Sequence, residues 1–287
     1  MIALRIASCV TLPEPDPDAE PLAAALAAAG VEVAVLGWDD PEVDWDAPIP
    51  TLLRSTWNYP LAPEAFAAWL RRVGAAAPLW NPLDVVLGNL SKRYLLELPE
   101  RGVATVPTRW IERAPWPTLA SLRGELGATR VVAKPAVGAG SLDTERFVAG
   151  EDARFAAHLE KLTARGAALV QPYVESVHDY GERSLVWIDG QISHAVRKTP
   201  RFAGDVEQVE GPLPFTDAEA ALAAAALAPR TGSLLYARVD LARDAAGAPM
   251  VMEVELIEPS LFFAKQPGSA DRFVTAVQRR LASAPAR

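Results

Sequence analysis

A single cysteine, Cys9, stands in a chain of 287 residues, so no disulfide can form within the chain. Such a chain suits a reducing compartment, and a cytoplasmic location is expected. Cys9 closes the first predicted strand and reads as a small core residue, with a place near a ligand as the alternative. Histidine is almost as scarce: His158, His178 and His194 are scattered, so neither a Ser/His/Asp grouping nor a Cys/His metal spacing arises. No apolar run reaches the ~18 residues of a membrane span. The opening "MIALRIASCV" passes too quickly into "TLPEPDPDAE" to read as a signal peptide. Blocks of like charge are missing too, and the net charge is −8, so neither nucleic acid nor an anionic membrane is expected as partner. No G-x-G-x-x-G follows the first strand, which argues against a nicotinamide-dependent dehydrogenase.

Apolar residues, at 50%, are plentiful enough for a large core, and the length fits two or three domains. Residues 1–88 alternate strand and helix. "IALRIASC", "VEVAVLGW" and "APIPTLLRS" read as strands, while "AEPLAAALAAAG" and "APEAFAAWLRRVGA" read as helices, the second with Phe66, Trp69, Leu70 and Val73 at helical spacing. Alternation of this kind predicts a wound parallel sheet, with ligands beyond the carboxyl ends of its strands. "RSTWNY", from Arg54 to Tyr59, lies at one such end. A helix is predicted at "NLSKRYLLELPERG". The remaining two-thirds of the chain mixes hairpins and helices in α+β fashion, with hairpins around "DG" in "ERSLVWIDGQISHAVRK" and around "RDAAGAP". A last helix is expected over about 269–283.

Three stretches carry chemistry. "KPAVGAGSLD" sets Lys134 at a strand end before Gly138 and Gly140, so backbone N–H groups and a cation can surround phosphates. Its spacing fits neither common phosphate-loop pattern, and an ordinary hairpin loop is the alternative. "LVQPYVES" is a strand broken by Pro172, whose backbone near Tyr173 and Val174 can meet a planar heterocycle; a plain strand end is the alternative. "YARVDL…MVMEVEL" is the most informative. Glu253 and Glu255 are two apart and share a face, as do Arg238 and Asp240 on the other arm. Three carboxylates on one sheet face repel unless a cation sits among them, and hard oxygen ligands suit Mg²⁺. A solvated outer face is the alternative, weakened by the alternating Val239, Leu241, Val251 and Val254.

In this order these motifs resemble the ATP-grasp superfamily. "YARVDL…GAPMVMEVEL" is similar to the metal-binding hairpin of D-alanine–D-alanine ligases, and "VVAKPAVGAGS" to the lysine and glycine-rich flap over ATP. "NLSKRYLLEL" resembles the segment supplying an earlier lysine, Lys92, and "VQPYVE" the adenine-holding hinge. "GERSLVWIDGQISHAVRK" resembles the next hairpin in glutathione synthetases and ribosomal S6 modification ligases. With "RSTWNY", "WNP" and "ELIEPSLF" added, the likeness is greatest to O-ureido-serine cyclo-ligases.

The resemblance implies a mixed α/β and α+β fold. Residues 1–88 would form an N-terminal wound parallel-sheet domain, 89–170 a linker helix and central lid, and 171–287 a C-terminal antiparallel-sheet subdomain with the metal site. It implies ATP-dependent activation of a small amino-acid-like carboxylate as an acyl phosphate, followed by C–N bond formation between two molecules or within one. A non-catalytic ATP-binding module is a further alternative. ATP and Mg²⁺ would be required, with Mn²⁺ as a substitute, and a homodimer is the common assembly. Lys92 and Lys134 would neutralise phosphates beside Gly138, Gly140, Ser141 and Glu182, while Gln171, Tyr173 and Val174 would hold adenine. Asp240, Glu253 and Glu255 would hold metal, and Arg238 with Lys134 would stabilise the transferring group. Arg54, Ser55, Thr56, Asn58, Arg197, Glu258 and Ser260 would face the substrate. Three departures stand out: Glu255 replaces the usual Asn, Arg183 is shifted by one from the related D-x-R triplet, and "ELIEPSLF" is longer than the usual turn.

Overall fold

The computed structural model describes residues 2–199 and 208–283. Strands β1 (Leu4–Ser8), β2 (Val33–Gly37), β3 (Thr51–Leu53) and β4 (Leu79–Trp80) pair in parallel, in the order β2-β1-β3-β4. Helices α1 (Ala19–Ala28) and α2 (Pro63–Ala76) connect them. α2 buries Phe66, Trp69, Leu70 and Val73, the face its spacing predicted. β4 has two residues, too few to leave a period in the sequence.

The single helix expected at "NLSKRYLLELPERG" is instead three pieces. Helix α3 (Leu83–Asn89) ends on Asn89, and one helical turn, α4 (Tyr94–Glu97), precedes a 3₁₀ turn at Pro99–Arg101. The break has a cause. Asn89 gives its amide to strand backbone (Nδ2 to Val254 O, 2.9 Å), and the Lys92 N–H bonds Ala136 O at 2.8 Å instead of continuing a helix.

A second sheet holds β5 (Arg109–Ile111), β6 (Val131–Pro135), β7 (Glu145–Phe147) and β8 (Ala168–Pro172), antiparallel in the order β5-β8-β6-β7. Helices α5 (Leu119–Glu125) and α6 (Asp152–Thr163) cover it through Leu119, Leu122, Phe155, Leu159 and Leu162. The third sheet runs β11-β10-β9-β12-β13, from β9 (Glu182–Ile188), β10 (Gln191–Lys198), β11 (Val209–Leu213), β12 (Tyr236–Arg243) and β13 (Pro249–Glu255). Its β9–β10 turn places Asp189 and Gly190 at φ of 46° and 88°, as an Asp-Gly hairpin requires. Helix α7 (Asp217–Leu227) opens with a capping box between Thr216 and Glu219, and α8 is Ser269–Ser283. No described helix is long and apolar enough to cross a membrane.

Two buried polar groups lock the first sheet to the third. The Tyr236 hydroxyl lies within hydrogen-bond distance of the carbonyls of Leu53 (2.9 Å), Trp80 (3.3 Å) and Ile257 (2.6 Å). Asn81 donates to Tyr236 O and Leu256 O at 2.8 and 2.9 Å and accepts from Leu235 N at 2.8 Å. Asn81→Ala strands several buried backbone groups, so we expect a loss of about 2 kcal/mol in urea denaturation. A change within experimental error would show the clamp to be dispensable.

His194, buried on β10, donates from Nε2 to Leu261 O (3.0 Å) and has Nδ1 3.1 Å from Ser193 Oγ. Burial lowers its pKa from 6.5 to about 4, against the bond to Leu261 O. The folded form therefore binds fewer protons than the unfolded chain. Stability from this group is complete above the unfolded value and falls as pH drops toward the folded one. It predicts a loss of about 2 kcal/mol between pH 7 and pH 5. His194→Gln removes that component, so the native-minus-variant stability difference should change by that amount over the same range. A difference independent of pH would refute the assignment.

Candidate active site

A cleft of about 750 Å³ opens between the second and third sheets, with the first sheet's loops at one end. The β12–β13 hairpin forms its floor. Asp240 pairs directly with Glu253 and Arg238 with Glu255, so all four side chains share one face. The charges are compensated within the protein. Asp240 is 1% exposed and takes Arg238 Nε at 2.9 Å on one oxygen, with Lys198 Nζ at 2.8 Å and Arg238 Nη2 at 3.0 Å on the other. Glu253 pairs with Lys92 at 2.9 Å, Glu255 with Arg238, and Glu182 with Lys198 at 2.5 Å. Burial drives Asp240 up, but Arg238 and Lys198 outweigh it and hold the carboxyl well below its usual range. Burial pushes Glu255 up to about 7 against the pull of Arg238, with Asp240 and Glu253 adding to the rise. Glu182 also reaches about 7, through burial opposed by Lys198.

These residues fit Mg²⁺ in a particular way. Asp240 has both oxygens on protein cations, whereas Glu253 and Glu255 each hold a cation through one oxygen only. Among the described residues no group of three metal-ligating side chains forms a cage. Mg²⁺ ordinarily uses one or two carboxylates and completes its shell with phosphates and water, so two half-free glutamates facing an open cleft suit it. Asp240 would have to release a bond to join them.

Opposite the hairpin, β6 delivers Lys134. Its ammonium makes no hydrogen bond or ion pair with the described residues, and burial, with Lys92 adding, lowers its pKa. Lys92 is occupied, by Glu253 and by Gly138 O at 2.6 Å, which ties it to the glycine loop. Gly140 has φ of 59°, and Gly138, Gly140 and Ser141 all line the cleft. The β8 end supplies Gln171, Tyr173 and Val174, with Val132, Val177 and Met252 making that end apolar. Gln171 is anchored by Thr108 (2.9 Å) and Tyr173 by His178 (2.7 Å), so both are held in place before any ligand arrives.

Four residues expected to face substrate do not line this cleft. Arg54 is 3% exposed and bonds Asp18 at 2.9 Å, and that carboxylate also accepts from Leu261 and Phe263 N–H. Ser55 donates to Asp16, and Thr56 is fully buried. Together they support the wall behind the cleft. Arg197 turns to Glu210 at 2.7 Å on the other face of β10, while its neighbour Lys198 faces the cleft. One step along a strand reverses the face, and the motif did not fix that parity. Arg183 likewise points away from Glu182, to Pro214 O at 2.5 Å.

Asn58, Glu258 and Ser260 do line the cleft, beside Trp57 and Tyr59. Sequence reasoning passed over Asn89 and Tyr94. Both lie on the cleft wall and satisfy the open edge of β13, Tyr94 by accepting from Val254 N at 3.0 Å. Their one signal was proximity to Lys92.

Residues 4–81 match the family model described as the N-terminal domain of D-cycloserine synthetase DcsG. The whole chain is 35% identical to the cycloserine biosynthesis protein DcsG of Streptomyces lavendulae, over 98% of this chain and 99% of that protein. A crystal structure of D-cycloserine synthetase DcsG superposes with a TM-score of 0.87 at 33% identity, covering 97% of this chain and 99% of that one. The ATP-grasp ligase PsnB, solved with a minimal precursor, Mg and ADP, shares the fold with a TM-score of 0.63 at 18% identity, over 96% and 97% of the two chains.

Proposed function

Because the chain belongs to the DcsG family of ATP-grasp ligases and is an ATP-dependent carbon–nitrogen ligase, we propose that it closes a ring within one amino-acid-like substrate of the O-ureido-serine type. The observation that carries this is the full-length likeness at 35% identity to a cycloserine biosynthesis protein, with no large segment added or missing. Residues 1–88 then serve as the substrate-side domain, 89–170 as linker and lid, and 171–287 as the metal-bearing subdomain.

The chain's own residues divide the work. Lys134, Lys92 and the Gly138–Ser141 loop receive the phosphates, and the apolar end around Val174 takes the adenine. Glu253 and Glu255 would hold Mg²⁺, which would neutralise phosphate charge. Arg238, fixed on Asp240 and Glu255, faces the carboxylate oxygen that takes the phosphoryl group. In the second step a substrate nitrogen attacks the activated carbonyl carbon. The C–N bond forms, the C–O bond to phosphate breaks, and the nitrogen loses its proton. Catalysis on this scheme is positioning and charge stabilisation.

ADP release with Mg²⁺, ATP and O-ureido-D-serine alone, with mass spectrometry of the product, tests the reading. Ring closure needs no second substrate. ADP release that appears only when a separate amine is added would transfer the preference to an intermolecular ligase.

A further inference from the structure

Around the cleft floor, every carboxylate of the hairpin and of β9 has a cationic partner: Asp240 with Arg238 and Lys198, Glu253 with Lys92, Glu255 with Arg238, Glu182 with Lys198. Glu258 differs. It is 8% exposed and lines the cleft, yet among the described residues its carboxylate has no hydrogen bond and no ion pair. Its backbone is fixed on both sides. Trp57 Nε1 donates to Glu258 O at 2.9 Å, and the Tyr236 hydroxyl bonds the preceding carbonyl, Ile257 O, at 2.6 Å. Burial, with Glu255 adding, pushes its carboxyl up to about 8, so this firmly held group is fully ionised at neutral pH only when a cationic ligand completes it.

Among the described residues, Lys92 and Arg238 are already committed. Lys92 serves Glu253 and Gly138 O, and Arg238 serves Asp240, Glu255 and Ser260 O. Lys134 is uncommitted but belongs elsewhere. The charged groups acting most strongly on it are Glu253 and Lys92, whereas Glu255 acts most strongly on Glu258. Among the described residues Lys134 and Glu258 form no ion pair with each other. One cleft thus holds an unpartnered lysine at the end of β6 and, on the segment bonded by Trp57, a carboxyl group without a partner among the described residues.

Resting on the ligase reading above, we infer that Glu258 is the receptor for a substrate ammonium group. The substrate class is accordingly a zwitterionic amino acid, its carboxylate turned to Arg238 and its ammonium to Glu258. Metal is the weaker occupant, because Glu258 lies beyond the hairpin that carries Glu253 and Glu255, on the segment anchored to the first sheet.

Calorimetric binding of two probes to the protein with Mg²⁺ and a non-hydrolysable ATP analogue decides it. The probes are O-ureido-D-serine and its deaminated counterpart, 3-(ureidooxy)propanoate. Native protein should bind the amino compound about 10–100-fold more tightly, the range for a hydrogen bond to a charged group. Glu258→Gln should abolish that preference, leaving affinity for the deaminated probe and the nucleotide analogue unchanged, and Glu258→Asp should restore part of it. Equal binding of both probes by native protein, or binding of neither, overturns the inference even if the Gln variant does not fold. Loss in Glu258→Gln of affinity for both probes alike also overturns it. Selective binding without ADP release would leave this assignment standing and reject the ligase substrate instead.

Discussion

Asp240→Asn will destabilise the folded protein by about 3–5 kcal/mol and abolish ADP release. The stability figure is that of breaking a buried ion pair from one side, which strands the partner charge in a medium that solvates it poorly. Here two buried cations, Arg238 and Lys198, lose the carboxylate they share, itself 1% exposed, and keep only the more exposed Glu255 and Glu182. Because the folded pKa of Asp240 is depressed, its contribution is complete above the usual 3.8 and fades only as pH falls through the folded value. The deficit should therefore persist unchanged from neutral to mildly acidic pH. Glu253→Gln is the internal comparison. That carboxylate is 25% exposed and pairs with Lys92 alone, so its stability loss should be smaller while ADP release still fails. Urea denaturation of both variants checks the order. An Asp240→Asn protein within 1 kcal/mol of native would mean that the Arg238–Asp240–Lys198 cluster is not what holds the hairpin.

Lys134→Met should show the opposite division: a loss of about 10²–10³-fold in kcat for ADP release with no loss of stability. A preorganised charge facing developing negative charge is worth that much in other enzymes when removed alone. The folded protein gains nothing from it, since Lys134 has no partner among the described residues and burial already lowers its pKa. Methionine keeps the length of the stem and removes only the ammonium. Thermal melting without nucleotide should be equal to native or higher, and nucleotide affinity should fall. A clear destabilisation without nucleotide would show that Lys134 is a structural cation after all, and a native kcat would exclude it from the phosphate site.

The two variants also show how the floor of the cleft works. Asp240, Glu253 and Glu255 looked in the sequence like carboxylates awaiting a metal. In the folded protein they first discharge Lys92, Lys198 and Arg238, and only the spare oxygens of the two glutamates remain for an ion. A site assembled in this way is stable before ligand arrives, and its cations are already aimed at the cleft.

Local pattern determined much of this protein. Period two put Arg238 and Asp240 on one face of their strand and Glu253 and Glu255 on one face of theirs; period 3.6 gave α2 its buried stripe; Asp189-Gly190 fixed a hairpin turn. The order of motifs from Lys92 to Glu255 was enough to identify the superfamily and its chemistry. What only the tertiary structure decided depends on contacts between distant segments. Arg54 was readable as a cation at a strand end, but not as the partner of Asp18, 36 residues away. Arg197 and Lys198 were both readable as cations, but the strand's register alone decides which faces the cleft. Asn89 and Tyr94 carry no period, because they bond a strand edge 165 and 160 residues later. Glu258 follows the same rule: what sets it apart is the lack of a partner among the described residues, and that becomes visible only when those residues are placed in space.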